Sequence, residues 1–208
     1  MNNSIGIIDC GVGNIASIAN MIKKIGGQSI ICKSPADLNG IDKLILPGVG
    51  SFDHGMKKLR DGGWIEPLNE LVLGKGIPVL GICLGMQLMG TRSDEGKATG
   101  LGWVDAEVVS FDRAKISTLK VPHMGWNAIN IEKKHPLFSD GNEIEELRYY
   151  FVHSYHMSCN VSEDVLATTN YGYKFTCAFA TKNIMGVQFH PEKSHRFGMR
   201  LFKLFLEL

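Results

Sequence analysis

The stretch VLGICLGMQ, Val79–Gln87, decides the fold, because a short apolar run ends in Gly-x-Cys-x-Gly and a helical pattern begins at once. This is the layout of a nucleophile elbow, a sharp strand-to-helix turn, with sulfur where hydrolases usually carry a serine oxygen. Small residues on both sides permit the turn. The positive end of the following helix favours the thiolate, the reactive form of Cys83. On this stretch alone, a buried structural cysteine remains an equal alternative.

A second stretch far downstream, Gly186-Val187-Gln188-Phe189-His190-Pro191-Glu192, complements the first. Proline disfavours helical geometry in the residue before it, so His190 is expected to be extended. Side chains two apart in extended chain point to the same side, which brings Glu192 beside the imidazole. A carboxylate on one ring nitrogen fixes the tautomer and leaves the other nitrogen to act as a base. By itself His-Pro-Glu is more often an exposed turn, but with Cys83 it completes a nucleophile, base and orienting acid.

Length and composition indicate one globular domain, residues 1–208, with a sizeable core. The formal net charge of +1 gives no general electrostatic case for nucleic acid or an anionic membrane. We expect no membrane span, since no apolar run approaches about 20 residues, and no signal peptide at Met1–Ile5. Five scattered cysteines without a Cys-x-x-Cys pair argue against a disulfide framework or a zinc site and favour the cytoplasm.

The first half of the chain alternates strand and helix patterns. Strands are predicted at Ser4–Asp9, Gln28–Cys32, Lys43–Leu46 and after Pro78; helices are predicted from Ile15 to Ile25, ended by Gly26-Gly27, and at Met56–Arg60 and Trp64–Leu73. Alternating units of this kind predict a parallel sheet with helices on both faces. Gly11-x-Gly13 resembles the start of a dinucleotide fingerprint, but position 16 is alanine, so we do not expect a nucleotide site.

The second half reads mainly as short strands. They are predicted at Val104–Ser110, Trp126–Ile131, Leu147–Val152, Val165–Asn170, Thr176–Thr181 and Ile184–Phe189, with hairpin turns at 170–172 and 182–183. An amphipathic helix, Ser194–Leu208, closes the chain. We therefore predict an α/β fold in which an antiparallel extension lies beside the parallel core.

The residues around Cys83 and the run Gly186–Ser194 resemble class I glutamine amidotransferase domains. Three further segments resemble the glutaminase subunits of imidazole glycerol phosphate synthases: Leu46-Pro47-Gly48-Val49-Gly50-Ser51-Phe52, Pro122-His123-Met124-Gly125-Trp126-Asn127 and Tyr150-Phe151-Val152-His153-Ser154-Tyr155. The resemblance extends over essentially the whole chain. The resemblance implies a flavodoxin-like fold and hydrolysis of L-glutamine without a cofactor or metal.

The resemblance also implies the role of each site residue. Cys83 would attack the side-chain amide, His190 would carry the proton, and Glu192 would orient His190. The N–H groups of Leu84 and of Val49 or Gly50 are candidate oxyanion donors, and matching positions in relatives place Gln87, Ser154 and Tyr155 around the glutamine. Because glycine is conformationally permissive, Gly48 and Gly50 suggest that this strand switches a donor in and out of the site.

A partner follows from the same resemblance: a (βα)8-barrel cyclase in a heterodimer, supplied with ammonia for histidine biosynthesis. Asn14, Trp126 and Lys193 match interface positions, although Trp126 could instead be a core residue and Lys193 could equally be a plain surface lysine. His123, His153 and His156 lack metal-ligand spacing and are interpreted as structural or interface residues. Three alternatives stay open: a paralogue that supplies ammonia for amidation of a surface-polysaccharide sugar, a stand-alone thiol hydrolase, and a non-catalytic subunit.

Overall fold

Strands and helices alternate through the first half of the computed structural model, which describes residues 4–116, 118–138 and 146–208. The elements are β1 Ile5–Ile8, α1 Ile15–Lys24, β2 Ser29–Cys32, β3 Lys43–Gly48, α2 Phe52–Asp61, α3 Ile65–Asn69, β4 Val79–Cys83 and α4 Leu84–Leu88. Residues 1–3, which carry part of the expectation about a signal peptide, lie outside the described residues. Within the described ranges the helices are too short or too polar to cross a bilayer.

The second half is dominated by strands. Its elements are β5 Arg92–Ser93, β6 Ala106–Ser110, α5 Arg113–Ile116, β7 His123–Ala128, β8 Asn130–Ile131, β9 Arg148–His153, β10 Tyr155–Cys159, β11 Val165–Asn170, β12 Lys174–Thr181, β13 Ile184–Val187 and α6 His195–Glu207.

The main sheet has a parallel core and an antiparallel extension, which confirms the predicted fold class. Its parallel part runs in the order β2-β1-β3-β4-β13, which is the flavodoxin-like order. Strands β12, β10 and β6 continue the sheet in antiparallel pairs, and β7 and β9 form a separate antiparallel ribbon. In such folds ligands bind beyond the carboxyl ends of the parallel strands, where β3 ends at Gly48 and β4 at Cys83.

Helices cover both faces of the parallel core because its strands are apolar on both sides. Ile45 of β3 belongs to the hydrophobic cluster that includes Ile18 of α1 and Leu201 of α6. Leu44 and Leu46 point the other way, into the cluster with Phe52 and other residues of α2 and α4. This alternation along one strand is the two-residue period of a sheet buried on both faces.

Several predicted boundaries are wrong. The predicted strand Trp126–Ile131 is two strands with different neighbours: β7 pairs with β9, whereas β8 pairs with β11. The predicted helix Trp64–Leu73 is α3 followed by a π-helical turn, Glu70–Gly74. Strand β10 was not predicted at all, although its five residues all pair with β6.

Candidate active site

Cys83 occupies a strained turn between β4 and α4. Its φ of 54° and ψ of −110° lie outside the regions that ordinary residues favour, and such strain is concentrated at functional sites. The residue is 7% exposed. A thiol held this way lies at the carboxyl end of the parallel sheet and at the start of a helix.

Glycines allow α4 to lie unusually close to the sheet beneath it. A Cβ on Gly85 would lie 1.8 Å from the carbonyl oxygen of Leu46 in β3, and one on Gly81 would lie 2.7 Å from Cα of Met86. A Cβ on Gly186 in β13 would meet Met86 Cγ at 2.7 Å. These three glycines therefore fix the depth at which the elbow sits on three neighbouring strands.

His190 is fastened to strand β9. Its N–H donates to the Tyr150 carbonyl at 2.9 Å, and its own carbonyl accepts from the Ser194 hydroxyl at 2.6 Å. Ser194 Oγ also accepts from the Tyr150 N–H at 3.0 Å, which closes the link. The backbone position of the imidazole is consequently fixed by three hydrogen bonds.

Glu192 lies against the imidazole, with Oε1 at 2.8 Å from Nδ1 of His190. The backbone of His190 is extended, as Pro191 requires, but Pro191–Lys193 form a 3-10 turn. The extended geometry expected for both residues is therefore wrong for Glu192, whose carboxylate reaches the ring from a turn. Proline at the first position of the turn pre-sets the φ that the turn needs.

His190 and Glu192 are both buried, and each stabilises the charged form of the other. Burial lowers the pKa of His190, but Cys83 and Glu192 together outweigh burial and raise it to about 10. Burial raises the pKa of Glu192, but the hydrogen bond and charge of His190 outweigh it and the pKa is lowered. Although Cys83 is near enough to act on His190, Nε2 makes no hydrogen bond of normal geometry to the described residues. The neighbours of this imidazole therefore make it a stronger base than an isolated one.

Asn14, which is predicted at a partner interface, also touches the carboxylate. Its Nδ2 donates to Glu192 Oε1 at 2.7 Å from the start of α1, 178 residues away in sequence. Glu192 thus receives two donors on one oxygen, while its buried Oε2 has no partner among the described residues. The contact makes Asn14 a support of the carboxylate.

One cavity of about 330 Å³ contains most of the predicted residues. Those that line it are Asn14, Val49, Gly50, Cys83, Leu84, Gln87, Ser154, Tyr155, His190 and Lys193. A larger depression of about 590 Å³, between the ends of α1 and α6, is lined by no cysteine or histidine among the described residues. The cavity at Cys83 is therefore the one equipped for nucleophilic chemistry.

Three predicted residues lie outside the lining. Gly48 is in register with Cys83, and a Cβ there would meet Gly85 N at 2.8 Å. Glu192 lies behind His190. Trp126 is 42% exposed, so it is not a core residue, and its ring stacks on His195 with centroids 5.6 Å apart.

Sequence reasoning missed several residues at the site. Glu95, Pro122, Val152 and His153 also line the cavity, and Gln188 directs Nε2 at the Cys83 sulfur from 3.7 Å. Gln188 could have been found, because the predicted strand Ile184–Phe189 leads to His190 and residues two apart in extended chain share a side, although the structure has a bend at residues 188 and 189. No spacing signal marks Glu95, which enters from a loop and accepts the Phe52 N–H at 2.7 Å.

The fold and the cavity at the carboxyl ends of its parallel strands are those of an amidotransferase, and the chain belongs to the class I glutamine amidotransferase family, whose model matches residues 6–208. It is 52% identical over 202 residues to imidazole glycerol phosphate synthase subunit HisH 2 of Pseudomonas aeruginosa, covering 97% of this chain and 98% of the relative. It is 50% identical over 204 residues to the protein of the same name from Methanococcus maripaludis, covering 98% of both. The crystal structure of a glutamine amidotransferase from Thermotoga maritima shares the fold, with a TM-score of 0.65, 18% identity and coverage of 100% of this chain and 82% of that one.

Proposed function

We propose that this chain is the glutaminase subunit of an imidazole glycerol phosphate synthase. It hydrolyses L-glutamine to glutamate and passes ammonia to a (βα)8-barrel cyclase, which forms imidazole glycerol phosphate and AICAR in histidine biosynthesis. Relatives of that name at 52% and 50% identity, matched over nearly their whole length, support the pathway. The observation that carries the chemistry is the assembly of Cys83 and His190 in one cavity, with Glu192 on the far ring nitrogen.

Cys83, His190 and Glu192 form the proposed catalytic triad. The thiol proton passes to His190 Nε2, and the sulfur attacks the side-chain amide carbon of glutamine. Glu192 stabilises the imidazolium and holds its tautomer. His190 then gives its proton to the leaving nitrogen, so ammonia departs and a glutamyl thioester remains. Water attacks the thioester with His190 as base, glutamate leaves, and the thiol recovers its proton.

The oxyanion of each tetrahedral intermediate needs preorganised N–H donors. Leu84 N–H follows the nucleophile at the helix start, and Val49 and Gly50 also line the cavity. Gly50 has a φ of 102°, a conformation that L side chains rarely adopt. We propose that the segment from Gly48 to Gly50 changes conformation to present its second donor, and that Gln87, Ser154 and Tyr155 hold the glutamine.

A partner has a chemical rationale, because ammonia released into water is protonated and loses its nucleophilicity. We propose a heterodimer in which the cyclase covers the cavity and contacts Asn14, Trp126 and Lys193. An exposed aromatic side chain such as Trp126 is a typical anchor of an interface. We further propose that residues 1–208 act as one domain in the cytoplasm, where a reactive thiol stays reduced.

The function is tested by replacing the nucleophile. Cys83→Ala should abolish glutamate release, measured with the chain alone and with the barrel protein that co-purifies with it. Cys159→Ala removes the least buried of the other thiols and should leave the rate unchanged. Glutamate release that survives in Cys83→Ala would refute the triad.

A second candidate is a paralogue that supplies ammonia for amidation of a surface-polysaccharide sugar. Both relatives are named subunit HisH 2, and a numbered name of this kind indicates a second copy of the subunit, which favours keeping the paralogue as a candidate. The co-purified barrel protein separates the two: it either forms imidazole glycerol phosphate when supplied with ammonia, or it amidates a sugar substrate.

A further inference from the structure

A network of hydrogen bonds outside the triad joins strand β7 to the nucleophile. We call it the histidine relay, and its members in spatial order are Asn127, His123, His153, Tyr155, Gln87, Gln188 and Cys83. His123 and His153 form its centre as directly opposed residues of β7 and β9, with Nδ1 of the first 2.9 Å from Nε2 of the second. Both side chains are buried.

The direction of the relay follows from one backbone carbonyl. Tyr155 O can only accept, so His153 Nδ1, at 2.8 Å, must donate to it. In a neutral ring the other nitrogen of His153 is then an acceptor, and His123 Nδ1 must donate to it. His123 Nε2 in turn accepts from Asn127 Nδ2 at 3.3 Å. Each ring therefore has one permitted tautomer.

Neutral rings are what the surroundings enforce. Burial lowers the pKa of His123 to about 4, and burial, with His123 beside it, lowers the pKa of His153 well below its ordinary value. A proton added to His153 Nε2 would face the His123 N–H across 2.9 Å, and one added to His123 Nε2 would face the Asn127 amide N–H across 3.3 Å. The network is thus fully satisfied in one protonation state, which is the condition under which a buried polar network fixes a structure.

The Tyr155 carbonyl also decides which groups donate in the hydrogen bonds that lead through Gln87 and Gln188 to the Cys83 sulfur. Gln87 must direct Nε2, not its oxygen, at Tyr155 O, and the distance is 3.0 Å. Gln87 Nε2 also donates to Gln188 Oε1 at 3.0 Å, which leaves Gln188 Nε2 to face Cys83 Sγ at 3.7 Å. Both N–H groups of Gln87 are then used within the protein, so its oxygen is the polar atom presented to the cavity that Gln87 lines.

We propose that His123 and His153 are positioning residues for glutamine hydrolysis: through the hydrogen bond from His153 they hold the Tyr155 carbonyl in place, and this carbonyl orients the Gln87 carboxamide with its oxygen toward the substrate and, through Gln87, the Gln188 amide toward the Cys83 sulfur. The inference rests on the proposed function. The Gln87 oxygen in that place can accept a hydrogen bond from the substrate, either from its ammonium group or from its amide N–H. The Gln188 N–H that faces the sulfur stabilises negative charge on it.

The chain offers a matched control in His156. His156 is 6% exposed, as His153 is, and both rings pack on Phe111, with centroids 5.1 Å away for His156 and 5.4 Å away for His153. The bonds of His156 go to Met157 O and the Tyr173 hydroxyl, outside the relay. His153→Leu and His156→Leu therefore remove similar packing, but only the first breaks the relay.

The readout is alkylation of Cys83 by 6-diazo-5-oxo-L-norleucine, a thiol-reactive glutamine analogue, compared with iodoacetamide, which does not need the glutamine site. His153→Leu should lose about tenfold in the second-order rate with the analogue, the effect of one lost buried hydrogen bond, and much less with iodoacetamide. His156→Leu should lose little with either. His153→Asn, whose amide nitrogen replaces Nδ1 as donor to Tyr155 O, should recover most of the rate.

Equal losses in the two leucine variants, or equal losses with both reagents, would overturn the relay. Nitrogen-15 shifts of the wild-type imidazoles decide the matter even if His153→Leu does not fold. Both rings should be neutral with the proton on Nδ1, and an Nε2–H tautomer at either ring overturns the proposal. Failure of Cys83 to react with the analogue in the wild type would instead count against the proposed function itself.

Discussion

The substitution Gly85→Ala tests whether the close packing of α4 on the sheet determines the position of Cys83. The new methyl group would lie 1.8 Å from the carbonyl oxygen of Leu46, whereas real Cβ atoms essentially never approach within 3.0 Å, so something must move by at least 1.2 Å. Strand β3 cannot yield easily, because it is paired with β1 on one side and with β4 on the other. The helix, with Leu84 N–H and the elbow at its start, must move.

Two opposing magnitudes decide the outcome. Alanine is favoured over glycine inside a helix by up to about 1 kcal/mol. Overpacking costs about 1–3 kcal/mol, and a displacement of about 1 Å at a reacting group costs about 100-fold in rate. We therefore expect a net loss of stability of about 0–2 kcal/mol and a loss of glutaminase activity of about 100-fold. A loss of activity much larger than the loss of stability would indicate that the catalytic groups are displaced while the fold stays intact.

Glutamate release and urea unfolding of the same preparations measure the two losses. Gly74→Ala is the control, because a Cβ there meets no atom closer than Glu70 Cγ at 4.0 Å. It should leave the rate near that of the wild type. A Gly85→Ala enzyme that kept most of its activity would show that the elbow adjusts without moving its donors, and the argument from close packing would fail.

Two further predictions concern the carboxylate behind His190. Asn14→Ala removes a donor to Glu192 Oε1 and should lower the glutaminase kcat about tenfold, since a hydrogen bond to a charged group contributes about 1.5–3 kcal/mol; Asn20→Ala, exposed on the same helix, should have no effect, and equal rates in both would contradict the role of Asn14. Glu192→Gln tests the pKa of His190, which is raised from 6.5 to about 10. Because the folded state binds the His190 proton more tightly than the unfolded state, protonated His190 contributes to stability. That contribution is fully present below pH 6.5 and is lost as the pH rises through 10. The free energy of unfolding from urea titrations should therefore fall less between those pH values in Glu192→Gln than in the wild type, and identical slopes would refute the assignment.

The features that local sequence determines could be predicted. The end of α1 is an example: the Gly27 N–H bonds Ile22 O at 3.0 Å and the Gly26 N–H bonds Lys23 O, a Schellman motif that the Gly-Gly pair encodes by itself. The turn between β12 and β13 at Lys182-Asn183 is equally local, with Lys182 at a φ of 50°. The elbow belongs to this group, because its glycines and its cysteine are neighbours in sequence.

Features that depend on distant partners could not be predicted. Strand β10 carries buried His156 and Met157 in succession, which breaks the expected alternation, and its pairing with β6 supplies what its own pattern lacks. The predicted strand 126–131 divides because Ile129 N–H bonds Leu147 O, while Ile131 pairs with Ala167 of β11. The contact between Asn14 and Glu192 joins the two ends of the chain, and no spacing could signal it.

The raised pKa of His190 concerns the proton that ammonia takes when it departs. In the proposed mechanism it makes the imidazole a strong acceptor for the proton of the nucleophile, and Glu192 Oε1, 2.8 Å from Nδ1, stabilises the imidazolium that results. His190 then keeps the proton until the leaving nitrogen takes it. Glu192 serves chiefly to stabilise that charged ring, which is why loss of its Asn14 support should lower the rate.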